Sequence, residues 1–173
     1  MENSFIQFSL VILFLPLFAF LVQIFFGKRL PRGGDWVSIS AIAITLLLSL
    51  SMFISMLSEY NPELRHESSF TWIDMGEFKI KLGFLIDNLT IIMLLVVALI
   101  STCTHVFSTQ YLKGDVRYSR YFGYLGLFTF SMNGIVLANN LISMYMFWEL
   151  VGVSSYLLIG HWFEKESAAN ASK

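Results

Sequence analysis

The chain has 173 residues, of which 56% are hydrophobic and only 13% charged, with a net charge of −1. Average globular usage is roughly 45–50% apolar and about 25% charged, so a soluble domain of this length could not hide the excess. Lipid is the solvent that fits, and the near-neutral charge excludes a nucleic-acid footprint.

The chain opens on Met1-Glu2-Asn3-Ser4, without the basic stretch of a secretory signal, and its first apolar run closes on Gly27-Lys28-Arg29 with no small-residue cleavage site. That run therefore reads as a retained helix. Five nearly charge-free windows follow in order: 5–26, 36–57, 88–107, 121–138 and 141–163, the last interrupted only by Glu149. Each is long enough to cross a ~30 Å hydrocarbon core as a helix, and in lipid a helix satisfies its own backbone. The predicted fold class is thus an all-α membrane protein of five transmembrane helices in a single membrane domain, 1–173. Pro16 is predicted to kink or loosen the first helix near its middle. Cys103, the lone cysteine, lies within an apolar run and carries no redox information.

The connections alternate in charge. Lys28, Arg29 and Arg32 lie between spans one and two, Lys113, Arg117 and Arg120 between three and four, and Lys165 and Lys173 after five. The other side holds Glu2, Glu59, Glu63, Glu67, Asp74, Glu77 and Asp87 against Arg65, Lys79 and Lys81. The positive-inside rule places the N-terminus outside and the C-terminus in the cytoplasm. The outer segment, 59–87, is too polar for lipid. Its runs 70–73 and 78–82 flank Asp74-Met75-Gly76-Glu77 and read as a small β-hairpin, the alternative being an unstructured loop.

Chemistry centres on Glu149. An ionisable group at mid-span costs about 2.5–3.5 kcal/mol on insertion scales and is by default a functional site; the bland alternative is a protonated helix-packing acid. Helical spacing puts Tyr145, Gly152, Val153, Tyr156 and Gly160 on or near its face. The tyrosines are placed to hydrogen-bond the carboxyl or order water, and the glycines to admit another backbone. That face is predicted to look into a bundle or a wet cavity. An acid balanced between desolvation and a nearby cation can exchange protons near neutral pH.

His105, two residues before the end of span three, is a candidate relay or a solvated interfacial residue. Asn133 reads as an inter-helix hydrogen-bonding group and Trp148 as a packing residue. His161, Trp162, Tyr118, Tyr121 and Trp36 read as interface markers. The sequence contains no phosphate-binding glycine loop, cysteine cluster or histidine pair at metal spacing, so no cofactor or metal is expected in this chain.

The string from Phe147 to Gly160, with Trp148-Glu149, Val151-Gly152 and Ser155-Tyr156-Leu157-Leu158-Ile159-Gly160, resembles the largest antiporter-like subunit of respiratory complex I, subunit L or chain five of NADH–quinone oxidoreductase. Ser101-Thr102-Cys103-Thr104-His105 followed by Tyr111-Leu112-Lys113-Gly114-Asp115 supports the resemblance, as does Gly83-Phe84-Leu85-Ile86-Asp87-Asn88-Leu89-Thr90. It covers essentially the whole chain but only the N-terminal quarter to third of the family's pattern. It implies a proton channel in which the glutamate at position 149 pairs with a lysine on a later helix, driven by quinone reduction at a distant site. It also implies other complex I membrane subunits as partners and a bacterial plasma membrane, or an inner mitochondrial membrane for an organellar protein. The later lysine has no counterpart here, so either the chain is a fragment or other chains supply the remainder. Related families, the large subunit of multisubunit cation/proton antiporters and membrane subunits of some hydrogenases, share the pattern, and a structural membrane piece is the third reading.

Overall fold

The computed structural model describes residues 2–76 and 78–172. Met1, Glu77 and Lys173, all read in the sequence for turn or charge, lie outside the described residues. Six helices and one hairpin follow in chain order: α1 (Glu2–Phe26), α2 (Asp35–Ser58), β1 (Arg65–Met75), β2 (Phe78–Asp87), α3 (Asn88–Tyr111), α4 (Tyr118–Leu137), α5 (Leu141–Ile159) and α6 (Glu166–Ser172). Short 3₁₀ turns connect α1 to α2 and extend α5.

Four helical stretches, Ser4–Arg29, Pro31–Ser58, Asn88–Tyr111 and Leu141–Trp162, are long and apolar enough to cross a membrane. The predicted fourth span, α4, is a helix but is less apolar. The reason lies in its packing. It touches α1, α3 and α5, and Gly123, Gly126, Thr129, Ser131, Asn133 and Gly134 are all buried. Neighbouring helices, not lipid, face this side, so close approach matters more than hydropathy.

Boundaries shift for local reasons. α3 continues through Ser108-Thr109-Gln110 to Tyr111, past the predicted end at Phe107, because Ser108 and Thr109 return their hydroxyls to the carbonyls of Thr104 and Val106. Its start is fixed by Asp87, whose side chain accepts from the Thr90 N–H at 2.7 Å, an N-cap. α1 runs unbroken through Pro16.

The predicted hairpin is present and longer than its two seed runs. β1 and β2 pair antiparallel from Arg65↔Asp87 to Met75↔Phe78, with an irregularity between Thr71 and Ile73. Gly76 takes φ 79° in the turn, where a Cβ is disfavoured, and Lys79 pairs with Asp74 at 2.9 Å. The unstructured-loop alternative does not hold. Gly83 lets β2 lie flat against its neighbours: a Cβ there would strike the Ser68 carbonyl and the Asn139 amide. Asn139 reaches Glu67, and Asn140 reaches the Lys81 carbonyl at 2.9 Å. The hairpin is thereby tied to the α4–α5 turn at one end of the bundle. The basic connections gather at the opposite end, where Ser119 donates to Gly33 O and Arg117 pairs with Glu164.

Candidate functional site

α5 begins at a built N-cap: the Asn140 side chain accepts from the Ser143 N–H at 2.8 Å. The helix then lies on α4, with the Phe147 ring seated directly over Gly134 and edge-on to Phe130 at 5.6 Å between centroids. Ser143 and Ser154 are buried on this side. The remaining circumference is uncovered. Tyr145, Glu149, Gly152, Val153 and Tyr156 are all exposed, and beyond the adjoining backbone of α5 no atom among the described residues lies within 4 Å of a Cβ built on Gly152.

The carboxyl of Glu149 was expected to be buried. It is exposed, because α5 packs on α4 through one side and no helix among the described residues covers the Glu149 side. Tyr145 lies one turn before Glu149 on the same exposed side, with its hydroxyl beside the carboxylate. Tyr156 does not join them. It lies seven residues on, roughly 10 Å along the axis, and lines a cavity of about 280 Å³ with Arg117, Arg120, Tyr124 and His161. Trp148 was read as a packing residue and is instead 65% exposed, pointing off the same uncovered side. Gly160 is covered, by Ser172 of α6 at 3.3 Å, whereas Gly152 is open.

His105 corrects a second expectation. It is not a solvated interfacial residue but 1% exposed, because α3 extends well beyond it and α4 brings Phe122 edge-on to its ring at 6.0 Å. Its Nδ1 lies 2.8 Å from the Ser101 carbonyl. Ser101 in turn meets Thr129 of α4 at 2.7 Å between hydroxyl oxygens. His105 and Glu149 therefore belong to separate places, the α3–α4 seam and the open side of α5. Asn133 makes the predicted inter-helix bond, to Ile12 O at 3.1 Å.

Two polar clusters at the basic end went unread. Asp35 is 1% exposed at the start of α2; it accepts from the Tyr118 hydroxyl at 3.0 Å and pairs with Arg32 at 3.1 Å. An acid just before an apolar run was the available signal. Asp115 accepts from the Trp162 indole at 2.8 Å and lies 3.4 Å from His161 Nε2. No local signal reveals that pairing. Burial raises the Asp115 carboxyl, but the Arg117 N–H, the Trp162 indole and His161 outweigh it and hold it below the usual carboxylate value.

A bundle of apolar helices, a polar hairpin at one end and one carboxylate in mid-helix define an antiporter-like membrane subunit. Residues 72–122 match the family model for the NADH–ubiquinone oxidoreductase (complex I) chain 5 N-terminus, and 138–173, which include Glu149, match that for the NADH:quinone oxidoreductase/Mrp antiporter transmembrane region. Subunit L of F(420)H(2) dehydrogenase from Methanosarcina mazei is 40% identical over 96% of this chain and 24% of its own length. Chloroplastic NAD(P)H–quinone oxidoreductase subunit 5 of Physcomitrium patens is 42% identical over 90% of this chain and 23% of its own. NADH–ubiquinone oxidoreductase chain 5 of Cryphonectria parasitica is 39% identical over 94% and 25%. A structure of an archaeal membrane-bound sulfane sulfur reductase shares the fold, with TM-score 0.77 at 18% identity, over 96% of this chain and 32% of that one. The chain belongs to the chain 5 (subunit L) family of antiporter-like complex I subunits, and spans about a quarter of the length of these curated relatives.

Proposed function

We propose that this chain is part of a proton-translocating membrane-arm subunit of a complex I-type quinone oxidoreductase, with Glu149 as its proton-exchanging carboxylate. The observation that carries the reading is the open side of α5. A carboxylate in the middle of an apolar helix, beside Tyr145 and flanked by the bare Gly152, is untenable against lipid. It calls for further helices of the complex to cover it and for a cation, the lysine that the family resemblance implies, to hold its charge. Other membrane subunits of the complex are the partners, and Tyr156 belongs to the surrounding polar wall.

In the bilayer all five long helices cross, α4 included, shielded by its neighbours. The N-terminus and the hairpin lie outside, and the basic connections and C-terminus lie in the cytoplasm or its organellar equivalent. This chain supplies the proton-handling group; electron donors and quinone are handled elsewhere in the complex.

The test is Glu149→Gln in the full-length subunit within its assembled complex. Proton translocation into vesicles is expected to fall sharply and coupled quinone reduction to slow. Glu149→Asp, one methylene shorter but still titratable, is expected to be milder. Unchanged stoichiometry and rate with the glutamine would make Glu149 structural. A second reading, a subunit of a multisubunit cation/proton antiporter, is favoured by the Mrp description attached to residues 138–173. Sodium-dependent proton flux without any quinone turnover would select it.

A further inference from the structure

Two cavities lie along the stripe of α3 that carries His105, although His105 lines neither. One, about 400 Å³, lies between the start of α2 and the end of α3, lined by Arg32, Asp35, Thr109, Gln110, Lys113 and Tyr118 among others. The other, about 320 Å³, lies between α3, α4 and α5. It is largely apolar, but Ser101, Thr104, Tyr121 and Thr129 bring hydroxyls to its wall. Thr109, His105 and Ser101 are successive i, i+4 positions on one stripe of α3, so His105 stands between a residue of the first cavity and a residue of the second.

The hydrogen bonds around His105 have a definite direction. A carbonyl only accepts, so Nδ1, at 2.8 Å from Ser101 O, carries the ring proton and Nε2 is bare. Thr129 donates to Leu125 O at 2.9 Å. It must therefore accept from Ser101 at 2.7 Å, which leaves Ser101 Oγ as an acceptor 3.3 Å from His105 Nδ1. Every donor in the string points the same way, from His105 through Ser101 and Thr129 to Leu125 O. Nε2 is buried and has no hydrogen-bond partner among the described residues. A bare imidazole nitrogen in a low-dielectric seam is costly unless a donor reaches it. The string thus has one open end, and that end is an acceptor.

We propose that His105, Ser101 and Thr129 form a proton relay through the α2–α3–α4 seam, joining the two cavities and separate from the Glu149 face. It rests on the proton-translocating reading above. With the Phe122 ring turned aside, water from the Asp35 cavity delivers a proton to Nε2. Nδ1 releases its own to Ser101 Oγ, Ser101 passes its proton to Thr129 Oγ1, and Thr129 turns from Leu125 O to release one to water in the second cavity. Each group gains one proton and loses one, and rotation of the ring and hydroxyls resets the string. The charged and titratable groups facing this path are Asp35, Arg32, Lys113 and Tyr118 at the first cavity and Tyr121 at the second. Phe122 lies 4.8 Å from the Tyr118 ring and 6.0 Å from His105, centroid to centroid, so one aromatic ring separates the first cavity from the imidazole.

The test uses the full-length subunit in its complex, reconstituted in liposomes containing a pH-sensitive dye, and reads protons moved per quinone reduced. His105→Gln can keep a donor on the Ser101 carbonyl but cannot relay; it is expected to lower the ratio at least two-fold. Thr129→Val, which cuts the string downstream, is expected to do the same, and Thr129→Ser, which keeps the hydroxyl, to restore it. A wild-type ratio in the His105→Gln complex would overturn the relay. So would equal ratios for the valine and serine variants of Thr129, a comparison that decides the matter even where a His105 variant fails to assemble. Normal ratios in these variants beside a lowered ratio in Glu149→Gln would remove the relay and leave the Glu149 reading standing. Normal ratios in all of them would remove both.

Discussion

Asn133 of α4 donates its side-chain amide to the carbonyl of Ile12 at 3.1 Å, and Ile12 is the residue four before Pro16. Proline has no N–H, so the carbonyl one turn back loses its helical partner. Asn133 replaces that partner from another helix, which is why α1 runs unbroken through Pro16. Asn133→Leu is expected to destabilise the full-length subunit in detergent by about 1–3 kcal/mol, the cost of stranding a buried acceptor. In a Pro16→Ala background the alanine supplies the missing N–H, and the same Asn133 substitution is expected to cost much less. Thermal unfolding of the four proteins gives the coupling. Additive effects would show that the two residues are independent.

What the sequence reveals follows from what is local. Charge-free windows expose the helices, because lipid tolerates little else. The 3.6-residue period aligns Tyr145 with Glu149, and both lie on the exposed side of α5. The hairpin is readable because alternation and a glycine turn lie within one short segment. Burial is not local. His105 is buried because α4, a separate helix, brings Phe122 against it. Asp35 with Tyr118, and Asp115 with Trp162, join positions 83 and 47 residues apart. α4 illustrates the same limit from the other side: its modest hydropathy makes sense only once its neighbours are in place. The exposure of Glu149 is likewise a matter of what lies beside α5.

The two ends of the bundle should label from opposite sides. In a Cys103→Ser background, removing the one native thiol, Glu67→Cys on the hairpin is expected to react with a membrane-impermeant maleimide added outside intact cells. Val116→Cys, at a position 96% exposed between α3 and α4, is expected to react only after the cells are opened. Outside labelling of position 116 in sealed cells would invert the orientation derived from the basic connections.

The seat of Phe147 on Gly134 admits no side chain. A Cβ on Gly134 would fall inside the ring's contact distance, and the ring cannot swing away without leaving Phe130. Gly134→Ala is therefore expected to cost about 1–3 kcal/mol as an overpacked contact. Phe147→Leu in the same chain is expected to recover part of that loss. Failure of the leucine to recover any stability, measured by thermal unfolding, would show that the α4–α5 contact is more plastic than this geometry implies.

The clasp at the end of α5 should open in acid. Asp115 holds the Trp162 indole at 2.8 Å and the Arg117 N–H at 2.6 Å. Burial raises its carboxyl, and these donors with His161 more than reverse that, so it lies below the ordinary value of 3.8. A carboxylate lowered in the folded state contributes stability in full above its unfolded value and loses it as pH falls through the folded one. The clasp should accordingly hold at pH 5 and loosen only as the pH drops below about 4, the ordinary aspartate range. Arg117 then loses one of its anchors, although it still reaches the His161 carbonyl at 3.1 Å and Glu164. With Trp36, Trp72 and Trp148 replaced by phenylalanine, Trp162 emission reports the event alone. The expected result is a fluorescence transition below pH 4 that is absent from an Asp115→Asn chain, whose Trp162 should already be released at neutral pH. A transition of the same midpoint in the asparagine variant would assign the change to another group and dissolve the clasp as an acid-sensitive element.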